Sequence, residues 1–284
     1  VSYELEVLAE DLAFGEGPRW HNGALYLSDI HADRVIRMQP DGKYDVIGSF
    51  EGPTSGLGWL PDGAMLVVSM NDRRVLRQEP DGRFVEHADL SEVASWHAND
   101  MVVASDGRAY VGNFGFPIFP TIQSPRSTAI AMVTPDGQVV TAADDFWFPN
   151  GMVLTPDEGT LIVAESAARV LTALDVEPDG RLTNRRVWAA LDGDRLPDGV
   201  CLDEDGAVWV ASPPTREVLR VEEGGEILAR IETEQEAIAC MLGGNDRRTL
   251  FILTAEKQDP EWCRANRVAK VLSTRVEVAG AGRP

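Results

Sequence analysis

Short apolar runs alternate with polar turns along the whole chain, and the runs are too brief and too rich in β-branched residues for helices. Ala24–Ser28, Met65–Val68 and Ala207–Ala211 read as strands buried on both faces. Between such runs stand turn pairs: Asn22-Gly23, Asp41-Gly42, Asp62-Gly63, Asp81-Gly82, Asp106-Gly107, Asp136-Gly137, Asp179-Gly180 and Asp205-Gly206. Asp-Gly and Asn-Gly between β-rich runs signal hairpins, since tight turns need positive φ at their central residues. These aspartates are accounted for by turn chemistry alone.

The spacing repeats. Successive copies open at Glu16-Gly17, Ser55-Gly56, Asn99-Asp100, Asn150-Gly151 and Asp198-Gly199, with a degenerate sixth over Ala237–Leu242. A repeat of roughly 40 to 50 residues carrying four strands is the period of a propeller blade, not of a helix-pair solenoid. The pattern predicts an all-β, six-bladed β-propeller with a central metal site, a single domain over residues 1–284. Strands at Ser2–Leu8 and Val268–Val278 are available to close the ring and remove its open edge. Only Leu90–Ser95 reads as a helical turn.

Composition narrows the function. The formal net charge of −20 repels phosphate backbones, so no nucleic-acid partner is expected, and it disfavours anionic membranes. No run approaches 18 uninterrupted apolar residues, the length a membrane span needs. The acidic, alternating start of the chain does not resemble a secretory leader, so a cytoplasmic location is expected. Cys201, Cys240 and Cys263 lack C-x-x-C spacing and read as buried free thiols. No G-x-S-x-G elbow, H-E-x-x-H pair or Walker loop is present. Asp192-x-Asp194-x-Leu196 starts like an EF-hand loop but lacks its later ligands.

The first strand of each blade lines the central channel, so the blade-start residues Glu16, Ser55, Asn99, Asn150, Asp198 and one near Ile238 converge on the axis. Glu16, Asn99, Asn150 and Asp198 bring two carboxylates and two carboxamides there, and burying bare carboxylates is expensive without a cation. Oxygen-only donors select a hard divalent ion: Ca²⁺ first, Mg²⁺ or Mn²⁺ behind it, and Zn²⁺ last. Such an ion serves catalysis or merely fastens the blades. His21, His31 and His87 are placed at the surface on turns or loops. His97, two residues before Asn99, either packs or faces substrate.

At these residues the chain resembles the SMP-30/gluconolactonase/LRE family of six-bladed propellers. The resemblance is carried by Gly15-Glu16-Gly17-Pro18-Arg19-Trp20, Ala98-Asn99-Asp100-Met101, Gly107–Asn113, Phe148-Pro149-Asn150-Gly151-Met152, Leu196–Val200 and Cys240–Gly244. It implies a metal-dependent hydrolase that opens a small lactone, with Glu16, Asn150 and Asp198 as ligands. Asn99 would ligate more loosely or hold substrate. Asp198 would be the base that activates water, although a carboxylate on Ca²⁺ is a weak base and could instead position the water or act as nucleophile. His97 stands where the vertebrate sugar lactonases have Arg, and a sugar-binding Glu is lacking near Pro117. With the aromatic loop Phe114–Pro120 and Phe146-Trp147-Phe148, these departures point to a less polar lactone than an aldonolactone. An organophosphate hydrolase and a non-catalytic metal-binding propeller are the alternatives.

Overall fold

The computed structural model describes residues 3–118, 121 and 123–282. Phe119, Pro120 and Ser2, which belong to the expected loop and first strand, lie outside the described residues. The chain is a six-bladed β-propeller: six four-stranded antiparallel sheets, five of them formed by consecutive strands. The innermost strands, in blade order, are Gly15–His21, Thr54–Trp59, Ala98–Val103, Pro149–Leu154, Val200–Leu202 and Glu236–Gly243. Each touches the next around the ring, and the last packs against the first.

The ring is closed by the N-terminal strand Glu6–Leu12, which pairs with Ala269–Arg275 as the outermost strand of the sixth sheet. The two ends of the chain thus share one sheet, so opening the ring requires breaking a sheet and not only a face. Both closing strands were expected, the first displaced by a few residues. Apolar side chains fill the gaps between neighbouring sheets. Leu66, Val68, Met101 and Val111 join the second blade to the third, and Ile162, Leu171, Val208 and Leu219 join the fourth to the fifth. Each such side chain stabilises the fold by about 1.5–3 kcal/mol when fully buried.

The Asp-Gly turns differ in detail from two-residue hairpins. Only the glycine is left-handed, as at Gly42 (φ +83°), while Gly42 N–H donates to the Gln39 carbonyl and Lys43 N–H to the Asp41 carboxylate. This is a type I turn followed by a left-handed glycine, with the aspartate satisfying the backbone two residues on. Leu90–Ser95 contains a single helical turn, closed by Ala94 N–H to the Leu90 carbonyl. The α-helix Pro260–Asn266 was not foreseen. Asp259 caps it by accepting from Trp262 N–H at 2.8 Å, with Pro260 in the first turn. Among the described residues no helix is long and apolar enough to cross a membrane.

The inner ring is tight because glycine follows the blade-start residue in four blades. A Cβ on Gly56 would lie 2.4 Å from Met101 N, and one on Gly151 would lie 2.6 Å from the Asp198 carbonyl oxygen. Gly56→Ala is therefore expected to destabilise the fold by about 1–3 kcal/mol, as overpacking does. Urea titration of both proteins checks this, and an unchanged midpoint would contradict the close packing of the inner strands.

Candidate functional site

Inner strands of five blades carry a register shift at the blade start, and a bulge of this kind re-aims the side chains beside it. The shifts fall between Glu16 and Arg19, Thr54 and Leu57, Ala98 and Met101, Pro149 and Met152, and Ala237 and Ala239. Glu16, Ser55, Asn99, Asn150 and Ile238 lie within them. Asp198 precedes its short strand instead, and is held by its N–H to the Ala211 carbonyl at 3.0 Å. Ser212 Oγ accepts from Leu196 N–H at 3.2 Å and steadies the same loop.

Glu16, Asn99, Asn150 and Asp198 line one cavity of about 300 Å³. Hydrogen bonds connect three of them: Asn99 Nδ2 donates to Asn150 Oδ1 at 2.9 Å, and Asn150 Nδ2 donates to Asp198 Oδ1 at 2.5 Å. Ser55 Oγ donates to Asn99 Oδ1 at 3.4 Å. Ser166 Oγ accepts from Asn150 at 3.2 Å and donates to the Pro197 carbonyl at 2.6 Å, tying the fourth blade start to the fifth. Glu16 accepts the Gly17 N–H at 3.0 Å.

The site is electrostatically frustrated. Burial pushes the Asp198 carboxyl up to about 8, with Asp100 and Glu236 adding to the rise and the Asn150 amide opposing it. Burial likewise holds Glu16 well above the usual carboxylate range, and the negative charges of Asp198 and Asp100 raise it further. Gly17 N–H and Arg19 oppose that rise. Two acids that both resist ionisation, Glu16 buried and Asp198 half-buried, stand beside carboxamide oxygens, and oxygen donors of these kinds fit a hard divalent cation. Among the described residues no group of three or more His, Cys, Asp or Glu side chains gathers as a metal cluster. The three thiols are buried and free, so the soft-ligand sets that favour zinc are not assembled at this site.

The rest of the cavity is mostly apolar, with Phe14, Ile30, Met70, Phe114, Ile118 and Phe148 on its walls. Phe148 has a positive φ of 58°, rare for a bulky residue. Its ring packs on Phe114 at 4.6 Å and on Phe116 at 6.3 Å between centroids. His97 also lines the cavity, stacked on Trp96 at 5.0 Å; burial, and Arg73 behind it, lower its pKa, so the ring is neutral near pH 7.

The other histidines correct the expectation of surface residues. His31 lines the cavity against Phe14, and burial, with Arg264 adding, lowers its pKa to about 4. His21 stacks on Trp59 at 3.9 Å, and His87 is partly buried in the strand Phe84–Asp89. The unforeseen helix contributes Pro260 and Arg264 to the rim, with Gln258 just before it. The Asp259-Pro260 pair ahead of Trp262 and Cys263 was the available signal for that helix.

A model of the SMP-30/Gluconolactonase/LRE-like region matches residues 14–256, from the edge of the first blade start into the sixth blade. The chain belongs to this family. Regucalcin of Xenopus laevis is 26% identical over 264 residues, covering 90% of this chain and 88% of that protein. The pentonolactonase of Haloferax volcanii is 27% identical over 287 residues, covering 95% and 92% respectively. The solved structure of a gluconolactonase from Xanthomonas campestris superposes with a TM-score of 0.77 at 25% identity, covering 97% of this chain and 90% of that one.

The raised acids give the site a pH signature. A carboxyl whose folded pKa exceeds its unfolded one keeps its proton in the native state between the two values, so it costs stability as pH rises through that window. For Asp198 the window runs from its ordinary value of 3.8 up to about 8. In chelator, Asp198→Asn should therefore gain thermal stability over the wild type as pH is raised from about 5 to 8. A Tm difference that stays constant across that range would contradict the burial of this carboxyl.

Proposed function

We propose that the chain hydrolyses lactones with the help of one divalent cation, Ca²⁺ before Mg²⁺ or Mn²⁺. Glu16, Asn150 and Asp198 would hold the ion, with Asn99 as a looser ligand or a contact to substrate. The observation that carries this reading is the convergence of those four side chains on one largely apolar cavity. The names of the relatives, a pentonolactonase and a gluconolactonase among them, support the same chemistry.

Bound there, the ion would supply Lewis acidity toward the ester carbonyl and offset the charge developing on its oxygen. Asn150 occupies Asp198 Oδ1, which leaves Oδ2 to orient a water and accept its proton. The water oxygen bonds to the carbonyl carbon, the bond from that carbon to the ring oxygen breaks, and the ring oxygen leaves as an alcohol by taking the proton that Asp198 accepted, which restores the carboxylate. Asn99, fixed between Ser55 and Asn150, holds an oxygen of the substrate or of its hydration shell. The phenylalanine walls keep bulk water from these polar groups, which strengthens every interaction among them.

The walls also set the substrate. A neutral His97 offers no fixed positive charge to a polyhydroxylated ring, and Phe114, Phe148 and Ile118 offer no hydrogen bonds. Lactones with a smaller or more apolar ring than gluconolactone are expected to have the higher kcat/KM in a panel assayed by proton release. A clear preference for hydroxylated sugar lactones would overturn this specificity, and a phosphotriester cleaved faster than any lactone would overturn the reaction class.

Asp198→Asn keeps one ligand oxygen but removes the charge and most of the proton affinity. Turnover should fall by roughly 10²–10⁴-fold, the loss expected for a positioned base. Circular dichroism and ion content at saturating Ca²⁺ are the controls. A folded, ion-loaded variant with near wild-type kcat would make Asp198 a ligand only.

A further inference from the structure

One charged pair sits behind the cavity and takes no part in lining it. Arg19 and Asp100 are both almost fully buried, at 3% and 2% exposure, and Arg19 Nη2 lies 2.8 Å from Asp100 Oδ1. Arg19 Nη1 donates to the Pro18 carbonyl at 2.8 Å, and Nη2 also donates to the Met101 carbonyl. Asp100 accepts in addition the N–H of Met101 at 2.7 Å. The pair therefore spans from the first blade to the third, across the second. Both residues share inner strands with candidate ligands: Arg19 follows Glu16 on Gly15–His21, and Asp100 follows Asn99 on Ala98–Val103.

Asp100 breaks the pattern of the ring. The residue after the blade start is Gly17, Gly56, Gly151 or Gly199 in four blades and Ala239 in the sixth. Only the third blade places a charge there. That carboxylate directly follows the candidate ligand Asn99, and its partner Arg19 shares the inner strand of Glu16, so both charges stand on the strands that carry the candidate ligands. Holding two strands together does not require it, since a well-packed apolar pair stabilises a fold as well as a buried ion pair does, and often better.

We propose that Arg19 is a built-in counter-charge: it neutralises Asp100 behind the site, leaving Glu16 and Asp198 as the carboxylates whose charge sets the affinity for the divalent ion. This rests on the metal reading given above, and adds to it a residue that tunes the ion without touching it. The sign of the effect follows from electrostatics. Removing Arg19 leaves an unpaired anion near the ion, which tightens binding; removing the Asp100 charge leaves an unpaired guanidinium, which weakens it. A clamp with no electrostatic role would shift both variants in the same direction or in neither.

The test is calorimetric titration of chelator-stripped protein with Ca²⁺ at fixed pH and ionic strength. Arg19→Met should lower the Kd about tenfold and Asp100→Asn should raise it about tenfold, as expected for one unit charge acting over the width of the channel. Arg19→Met combined with Asp100→Asn should return the Kd to near the wild-type value, and Arg19→Lys, which keeps the charge, should leave it there. Should Arg19→Met alone not fold, the Asp100→Asn, double and Lys variants still decide the matter. Equal Kd values throughout, or single variants that both weaken binding, would overturn the inference while the metal reading stands. A wild type that takes up no Ca²⁺, Mg²⁺ or Mn²⁺ would overturn the metal reading and this inference with it.

Discussion

The site depends on one constraint: two carboxylates, Glu16 and Asp198, line the same cavity at the axis of a ring of sheets, where water cannot fully solvate them. Glu16 is 4% exposed and has one backbone N–H as its hydrogen-bond partner, and Asp198 has the Asn150 amide. Among the described residues neither forms an ion pair with a cationic side chain, and Arg19 is committed to Asp100. Buried acids in this position either keep their protons or share a cation. That choice governs the site's pH response and, in the proposed function, its affinity for the ion.

The fold imposes this strain without losing stability because the cost is confined to the start of the inner strands. The sheets themselves are ordinary, with apolar layers between neighbouring blades and a ring closed by strands from both ends of the chain. Bulges at the blade starts turn single side chains toward the axis while the pairing resumes within a few residues. Glycines after the blade start let adjacent inner strands approach until backbone meets backbone. The left-handed Phe148 lies two residues before Asn150 and lines the same cavity. Local irregularity and candidate chemistry thus coincide, as is common where structure is arranged for function.

Much of this was legible in the order of residues, because a propeller repeats its signals. Turn pairs, buried runs and polar blade starts recur at one spacing, so a weak signal at any one of them was read many times over. The same repetition places Glu16, Asn99, Asn150 and Asp198 at blade starts on the axis, and the four line one cavity. What the repeat could not convey lies off its pattern. His31 follows a strand in what reads as an exposed turn, yet the helix Pro260–Asn266 from the sixth blade packs against that turn and leaves His31 half-buried. Arg19 and Asp100 are remote in sequence, and their pairing depends on the inner strands of two non-adjacent blades facing one channel. Contacts of that kind arise from the closed ring, and no local pattern announces them.

Hydrolysis of a lactone with a divalent ion at the axis is checked by the rate of proton release from an apolar lactone after the protein has been stripped with chelator. Activity should be lost on stripping and return saturably as Ca²⁺ is added back, with recovery complete at about one ion per chain under tight-binding conditions. Protein verified free of divalent ions that retains its full rate would contradict the proposed function.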